Sequence, residues 1–227
     1  MIKVSRTPTE PDALRIEREQ NGSYNIPEVV ELLDHDFHKI CYICGAYAGS
    51  ENNIEHLRPH KQGKYPELKY AWNNLFLCCP NCNSIKTRKR FDQDVIDCCA
   101  EDPEYFIRQE IDNGRIRVVP QEKMAGLKRA QNTAALVDAC FHSASAKQQA
   151  LKCESRRDEL KRKTIVLCRL LGQFWDLREA NEDFSRKYDE IRDMLLSDST
   201  YAGFMRTFVR DRLDMFPEFE RWVTTGE

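Results

Sequence analysis

Apolar and polar positions in the first third of the chain predict a helix, two short strands and a second helix. Apolar residues recur at helical spacing over residues 27–38, where Pro27 suits the first helical position. Residues 54–57 and 75–78 are short apolar runs of strand length, separated by a polar loop. A helix is expected over residues 81–90. The order strand, loop, strand, helix therefore falls within about forty residues.

Weaker patterns surround this segment. Residues 1–24 are polar and predict an extended or loosely docked arm. Residues 94–107 predict a turn and a helix around Pro103. Farther on, Asn113-Gly114 lies between two apolar stretches and predicts a small hairpin with that dipeptide as its turn.

From residue 121 the pattern changes to long helices, so we expect two domains, 1–120 and 121–227. One predicted apolar face comprises Ile165, Cys168, Leu171 and Trp175. A second comprises Phe184, Tyr188, Ile191 and Leu195, behind a cap at Asn181. A last helix is expected to carry Phe204, Phe208 and Val209 and to end near Pro217. The outer face of an ordinary helix is expected for the charged run Arg156, Arg157, Lys161, Arg162 and Lys163.

Composition places the chain among ordinary globular proteins. Its 227 residues are 41% hydrophobic and 32% charged, which is enough to bury a core. The amino-terminal segment has no apolar run of the secretory kind, and no uncharged segment approaches the length of a membrane span. We therefore expect a cytoplasmic protein.

Ten cysteines in a reducing compartment are not expected to form a disulfide framework. Two Cys-x-x-Cys pairs, Cys41/Cys44 and Cys79/Cys82, have the spacing of a tetrahedral zinc site. The alternatives are four unrelated buried cysteines or a redox pair, and two copies without a βαβ context disfavour the latter. Gly45, directly after the first pair, suits the positive φ that such turns often need. The remaining six, expected to be small buried apolar residues, are Cys78, Cys98, Cys99, Cys140, Cys153 and Cys168.

The formal charge of −2 does not suggest a nucleic-acid binder, but charge is unevenly distributed. Residues 54–90 contain eight Lys or Arg against two Glu, a local excess of six positive charges. The positive field is therefore concentrated on the cysteine-rich segment. The low net charge of the whole chain predicts weak unaided affinity for phosphate backbones, and hence dependence on a partner.

Between and just beyond the cysteine pairs lie Glu55, His56, Asn74 and Asn83, an acid–base candidate with hard oxygen donors. Hard oxygen ligands suit a second metal unlike the one that thiolates bind. The thiolate-bound ion would then stabilise the fold, and the oxygen-bound ion would take part in catalysis.

These residues resemble the HNH (ββα-metal) nucleases, whose motif runs Asp/Glu-His, Asn-Leu and Cys-x-x-Cys-His/Asn-x-x-Lys. Here the matching residues are Glu55-His56, Asn74-Leu75 and the segment from Cys79 to Lys86. Further segments resemble the Septu-type and retron-associated HNH proteins (the PtuB family) of bacterial anti-phage defence, over roughly residues 1–120. Those segments are SYNIPEVVELLDHDFHKICYICG, IEHLRPH, AWNNLFLCCPNCNSIK and DVIDCCAEDPEYFI.

The resemblance implies an α+β fold, a zinc-stapled ββα-metal nuclease core followed by a helical region. His56 would be the general base that activates water against a phosphodiester, most often in DNA. Glu55 and Asn83 would bind Mg²⁺ or Mn²⁺, although Asn83 also suits a helix cap. Many family members have His at the position of Asn83, and an amide should tolerate zinc or nickel less well.

Asn74 would hold His56 in place by bridging the loop backbone, with Asn73 as a rival by position. His60 is expected to be a solvent-facing loop residue. The expected phosphate contacts are Arg58, Lys61, Lys64, Lys86, Arg88, Lys89 and Arg90.

Partners also follow from the resemblance. Septu-type nucleases act with an ABC/SMC-like ATPase, sometimes beside a retron reverse transcriptase and its DNA, and the helical region would be the docking surface. The chain has no phosphate-binding Gly-Lys-Ser/Thr motif, so control by ATP would come from outside. Two other classes stay open: a non-catalytic zinc-ribbon binding module, and an inactive scaffold subunit of the same complex.

Overall fold

The structure, a computed structural model, describes residues 1–49, 53–60, 65–87, 91 and 94–224. The helices of the described chain are α1 Asp12–Glu19, α2 Pro27–Asp36, α3 Pro80–Lys86, α4 Lys128–His142, α5 Lys147–Glu179, α6 Ser185–Leu195, α7 Ala202–Arg210 and α8 Glu220–Thr224. The strands are β1 Asn53–His56, β2 Leu75–Cys78, β3 Ile107–Asp112 and β4 Arg115–Pro120. Short 3-10 turns cover Pro66–Leu68, Trp72–Asn74, Pro103–Tyr105, Glu122–Met124 and Pro217–Phe219.

The predicted ββα order is confirmed. Strands β1 and β2 pair antiparallel, with His56 opposite Leu75, and α3 begins two residues after β2. Pro80 is at the first position of α3, where its missing N–H costs nothing. The segment before β1 is tied to this unit because the Tyr42 N–H donates to Leu77 O at 3.0 Å.

The amino-terminal arm was predicted to be extended or loosely docked. Its first eleven residues carry no helix or strand, but the arm is firmly docked. Residues 12–19 form α1, and Leu14 is fully buried. The extended part is pinned by long-range contacts: Val4 N–H donates to Cys98 O, and the Thr7 hydroxyl donates to Asp36 Oδ1 at 2.7 Å. Its partners lie far along the chain, so no local pattern of polar and apolar residues could reveal the docking.

The predicted hairpin is confirmed. Strands β3 and β4 pair from Ile107 opposite Pro120 to Asp112 opposite Arg115. Both Asn113 and Gly114 have positive φ, as a two-residue hairpin turn requires.

The apolar face predicted for the long helix α5 is only partly correct. Leu171 is buried and Trp175 packs against the core, but Ile165 is 67% exposed and Cys168 is also exposed. The buried residues on this part of α5 are Leu160, Thr164, Leu167, Leu170, Leu171 and Phe174. Apolar residues occur on more than one side of this segment, so spacing alone could not decide which side is covered.

Helix α6 has its predicted face, with Ile191 and Leu195 buried, but not its predicted cap. Asn181 has φ +54 and lies just after the end of α5, where a left-handed residue ends a helix. Asp183 Oδ1 instead accepts a hydrogen bond from Ser185 N–H at 2.9 Å, at the start of α6.

Contacts run across the predicted boundary near residue 120, and the domain division stays a prediction. The hairpin packs against α4 through β4 and against α7 through β3. The buried carboxylate of Glu104 accepts hydrogen bonds from Arg206 at 2.8 Å and Arg210 at 2.9 Å, both on α7. One hydrophobic cluster extends from the arm to α8.

No helix among the described residues has the length and apolar content needed to cross a membrane.

Candidate metal and catalytic site

Four thiols converge at the start of the ββα unit. The sulfur atoms of Cys41, Cys44, Cys79 and Cys82 all lie within 4.8 Å of one another, and all four residues are buried. The first pair lies in a tight turn in which Gly45 N–H donates to Cys41 O and Cys41 N–H donates to Ala46 O. Gly45 has φ +73, which is the conformation predicted for it.

This donor set fits zinc. Four sulfurs bound to one Zn²⁺ at about 2.3 Å lie roughly 3.8 Å apart, so a small inward shift of the observed thiols would complete the tetrahedron. A closed, buried set of four thiolates is the arrangement of structural rather than catalytic zinc.

The other six cysteines only partly behave as predicted. Cys78, Cys98, Cys140 and Cys153 are buried, whereas Cys99 is half-buried and Cys168 is exposed. The Cys78 sulfur lies 3.9 Å from that of Cys41, and burial raises the pKa of the Cys78 thiol to about 12. Cys78 therefore borders the four-cysteine cluster without belonging to it.

Arg156 contradicts its prediction as an outer-face residue. It is only 8% exposed, and its guanidinium donates to Cys79 Sγ at 3.2 Å and to Cys140 O at 2.7 Å. Burial alone would lower the pKa of Arg156, but the negative charges of the surrounding cysteines, Cys44 first among them, raise it.

His56 ends β1 and is buried, with 6% of its surface exposed. Its Nε2 lies 3.0 Å from Lys69 O. A carbonyl oxygen only accepts, so Nε2 carries the proton in the neutral ring and Nδ1 is the basic nitrogen. The backbone therefore selects the tautomer of the proposed general base.

Two aromatic side chains enclose the His56 ring. Tyr24 meets it edge to face with ring centroids 4.6 Å apart, and His60 lies 4.2 Å away. Burial and the charge of Glu55 raise the pKa of Tyr24. His60 is half-buried in this cluster, so its prediction as a solvent-facing residue is wrong.

Asn74 is buried and bridges two loop segments. Its Oδ1 accepts from Arg58 N–H at 2.8 Å, while Nδ2 donates to Arg58 O at 3.0 Å and to Leu68 O at 3.2 Å. Leu68 directly precedes Lys69, whose carbonyl contacts His56. The amide therefore fixes both the chain that follows His56 and the turn that supplies its hydrogen-bond acceptor.

Glu55 has a close cationic neighbour. The Lys86 ammonium donates to Glu55 Oε1 at 2.9 Å and to His56 O at 2.7 Å, and Lys86 is only 3% exposed. This pair ties the last turn of α3 to the end of β1. A metal bound by Glu55 would share the carboxylate with Lys86, whose predicted phosphate contact would require the pair to open.

Asn83 is half-buried and precedes Lys86 by three residues on α3. Side chains three apart in a helix are neighbours on its surface, so helix geometry predicts that Asn83 lies near Lys86, which contacts Glu55. Carboxylate and amide oxygens on these two elements suit Mg²⁺ or Mn²⁺, with waters completing the coordination.

The predicted substrate contacts are only partly described. The side chain of Arg58 is exposed, and the backbone of Arg58 is held by hydrogen bonds to the Asn74 side chain. Arg88, Lys89 and Arg90 lie outside the described residues, as do Lys61 and Lys64.

Sequence reasoning missed three neighbours of the site: Tyr24, the Lys86–Glu55 pair, and Arg156. Tyr24 and Arg156 are far along the chain from the residues they contact, and no local pattern marks them. Lys86 is part of the HNH motif, but its burial depends on how α3 packs against β1.

Comparison with known proteins agrees with this geometry. Residues 41–89 match the family model described as HNH endonuclease, a segment that spans both cysteine pairs, β1, β2 and α3. No curated protein matches the chain. The chain therefore carries an HNH endonuclease domain with a four-cysteine cluster, followed by a helical region, in a mixed α+β fold as predicted. The likeness to the Septu-type proteins stays a prediction.

Proposed function

We propose that this protein is a metal-dependent endonuclease that hydrolyses phosphodiester bonds in DNA. The observation that carries the proposal is the orientation of His56, which follows Glu55 at the end of β1. The Nε2 atom of His56 is held by a hydrogen bond to Lys69 O. A histidine held in this tautomer presents Nδ1 as the candidate general base.

The reaction assigned to His56 is general-base catalysis. Nδ1 takes a proton from water as the water oxygen attacks phosphorus, and the bond from phosphorus to the 3′ oxygen breaks. Glu55 and Asn83 are the residues proposed to hold Mg²⁺ or Mn²⁺. That ion would supply charge neutralisation at the phosphate and at the leaving oxygen.

Asn74 and Lys86 are proposed to position this machinery. Asn74 holds the turn that carries Lys69 O, and Lys86 holds the Glu55 carboxylate and the His56 carbonyl. Because Lys86 is paired with Glu55, the exposed Arg58 is the best candidate among the described residues for contact with the DNA backbone. Arg88, Lys89 and Arg90 remain predicted contacts on the strength of the local charge excess.

The biological role we propose is that of nuclease effector in an anti-phage system, acting with an ABC/SMC-like ATPase and, in some settings, a retron reverse transcriptase and its DNA. Its support is the likeness of the quoted segments to Septu-type proteins. The low net charge of −2 fits a nuclease that relies on a partner to engage DNA. A cytoplasmic location belongs to the same proposal.

The test is cleavage of labelled DNA and RNA by the chain co-expressed with its neighbouring gene products, with and without Mg²⁺ or Mn²⁺. Replacing the base should lower cleavage by His56→Ala by roughly 10²- to 10⁴-fold. Zinc content should stay equal in both proteins, because His56 is outside the cysteine cluster. His35→Ala is the matched control, since that side chain is 81% exposed on α2, and it should cut like wild type.

Three outcomes would contradict the proposal in different ways. Equal cutting by wild type and His56→Ala would reject the catalytic assignment. An assembled complex without metal-stimulated cleavage would favour the scaffold subunit or the non-catalytic zinc-ribbon module. Cleavage of RNA alone would reject DNA as the substrate.

A further inference from the structure

Arg156 is a buried cation that reaches the four-cysteine cluster from the helical region. It lies on α5, yet its guanidinium donates to the sulfur of Cys79 at 3.2 Å. A second donor contacts Cys140 O at 2.7 Å, in the last turn of α4. One side chain on α5 thus joins the cysteine cluster to the end of α4.

The burial of this charge requires an explanation. Removing a guanidinium from water is strongly unfavourable unless a negative charge compensates for it. Four thiolates on one Zn²⁺ carry a net charge of −2, so a guanidinium at Cys79 would offset half of it. Four neutral thiols would leave the same cation poorly compensated.

Arg157 provides an internal comparison. Its guanidinium also donates to a carbonyl in the last turn of α4, that of Phe141. Among the described residues, however, Arg156 donates to a cysteine sulfur and Arg157 does not. The two arginines therefore share the helix-end contact and differ in the sulfur contact.

Further contacts hold the helical region against the same cluster. The Tyr201 N–H, just before α7, donates to Gly45 O at 2.7 Å in the turn of the first cysteine pair. A side chain at Gly45 would come within 3.3 Å of the Tyr201 backbone. On α3, the Asn81 amide contacts Cys153 Sγ on α5 at 3.7 Å.

We propose that Arg156 is a positioning residue of the four-cysteine metal site, which donates a charge-assisted hydrogen bond to the Cys79 thiolate and thereby couples zinc binding to the docking of α5. Free-energy coupling is reciprocal, so the contact that tightens zinc binding is strengthened by zinc to the same extent. The metal would then organise the interface with the helical region as well as the ββα unit. This inference concerns the zinc site and holds whether or not the domain cuts DNA.

The first test is zinc transfer from the full chain to a chromogenic chelator. Arg156→Met removes the charge while keeping an apolar stem. It should bind zinc roughly 10- to 100-fold more weakly than wild type, the usual effect of losing a hydrogen-bond partner of a metal ligand, and should therefore transfer zinc faster. Arg156→Lys keeps the charge but lacks the two donor groups of the guanidinium, so its rate of zinc transfer should lie between those of wild type and Arg156→Met. Arg157→Met should transfer zinc at the wild-type rate.

A second test needs no substitution. Hydrogen exchange of the zinc-loaded and zinc-stripped wild-type chain should show protection lost on stripping in the first half of α5, besides residues 41–44 and 79–86. Unchanged protection of α5 would overturn the coupling. Equal zinc transfer by folded Arg156→Met and Arg157→Met would overturn the role of the sulfur contact.

Discussion

The motif region, residues 41–87, and the helical region, residues 128–224, are stabilised by different means. Among its described residues, the motif region has two paired strands of four residues each and a seven-residue helix, too little regular structure to persist alone. It buries polar side chains, among them His56, Asn74 and Lys86, and clusters four thiols. The helical region instead includes a 33-residue helix and an aromatic cluster in which Phe174 contacts Phe216 and Phe219.

The difference explains how so small a unit can hold buried polar groups in fixed positions. Where a metal supplies folding energy, polar side chains can be buried beside the apolar ones and positioned for chemistry. The helical region has no comparable cluster of metal-ligating groups among the described residues. Its stability should therefore be insensitive to zinc, except where it contacts the cysteine cluster.

The largest effect should follow loss of a zinc ligand. Structural zinc is worth on the order of 10 kcal/mol of folding free energy in small domains, so Cys44→Ser should abolish exchange protection across residues 41–87. Helices α6 to α8 should keep theirs, since apolar packing holds them. The measurement is hydrogen exchange with circular dichroism, and Cys168→Ser, which alters an exposed cysteine, should match wild type. Loss of α6 to α8 together with the motif region would show that the two regions fold as one unit.

A smaller effect is expected where a buried ion pair joins the hairpin segment to α7. Glu104→Gln would leave the buried guanidinium of Arg206 without its carboxylate, and we expect a loss of about 3–5 kcal/mol in the free energy of unfolding. Glu101→Gln is the matched control because its pair with Arg129 is more than one-third exposed, so the loss should be about 1 kcal/mol or less. Denaturant titration with zinc present would measure both, and equal losses would contradict the role of burial.

The smallest effect on stability should come from the amide that braces the site. Asn74→Ala removes three hydrogen bonds to backbone groups, and we expect a loss of about 1–3 kcal/mol with zinc retained. Cleavage should fall more than this stability loss explains, because the turn that orients His56 is loosened. Asn73→Ala alters the exposed neighbour and should change neither quantity. Cleavage by Asn74→Ala at the wild-type rate would contradict the positioning role.

Predictions from sequence succeeded where the information was local. The ββα order, the positive φ of Gly45 and the Asn113-Gly114 turn each depend on residues adjacent in the chain, and each is confirmed. Predictions failed where a distant element decided the outcome. Arg156 and His60 were both placed toward solvent. Arg156 instead contacts Cys79, and His60 packs against Tyr24 as well as against its neighbour His56.

By itself, the sequence determined the cysteine spacing, the order of the short elements and the four cysteines that meet at the candidate metal site. These follow from bond geometry, turn conformation and ligand chemistry over a few consecutive residues. Only the tertiary structure decided that Lys86 binds Glu55, that Lys69 O selects the tautomer of His56, and that the helical region contacts the cysteine cluster. Such contacts join residues far apart in sequence, and their formation depends on how whole elements pack.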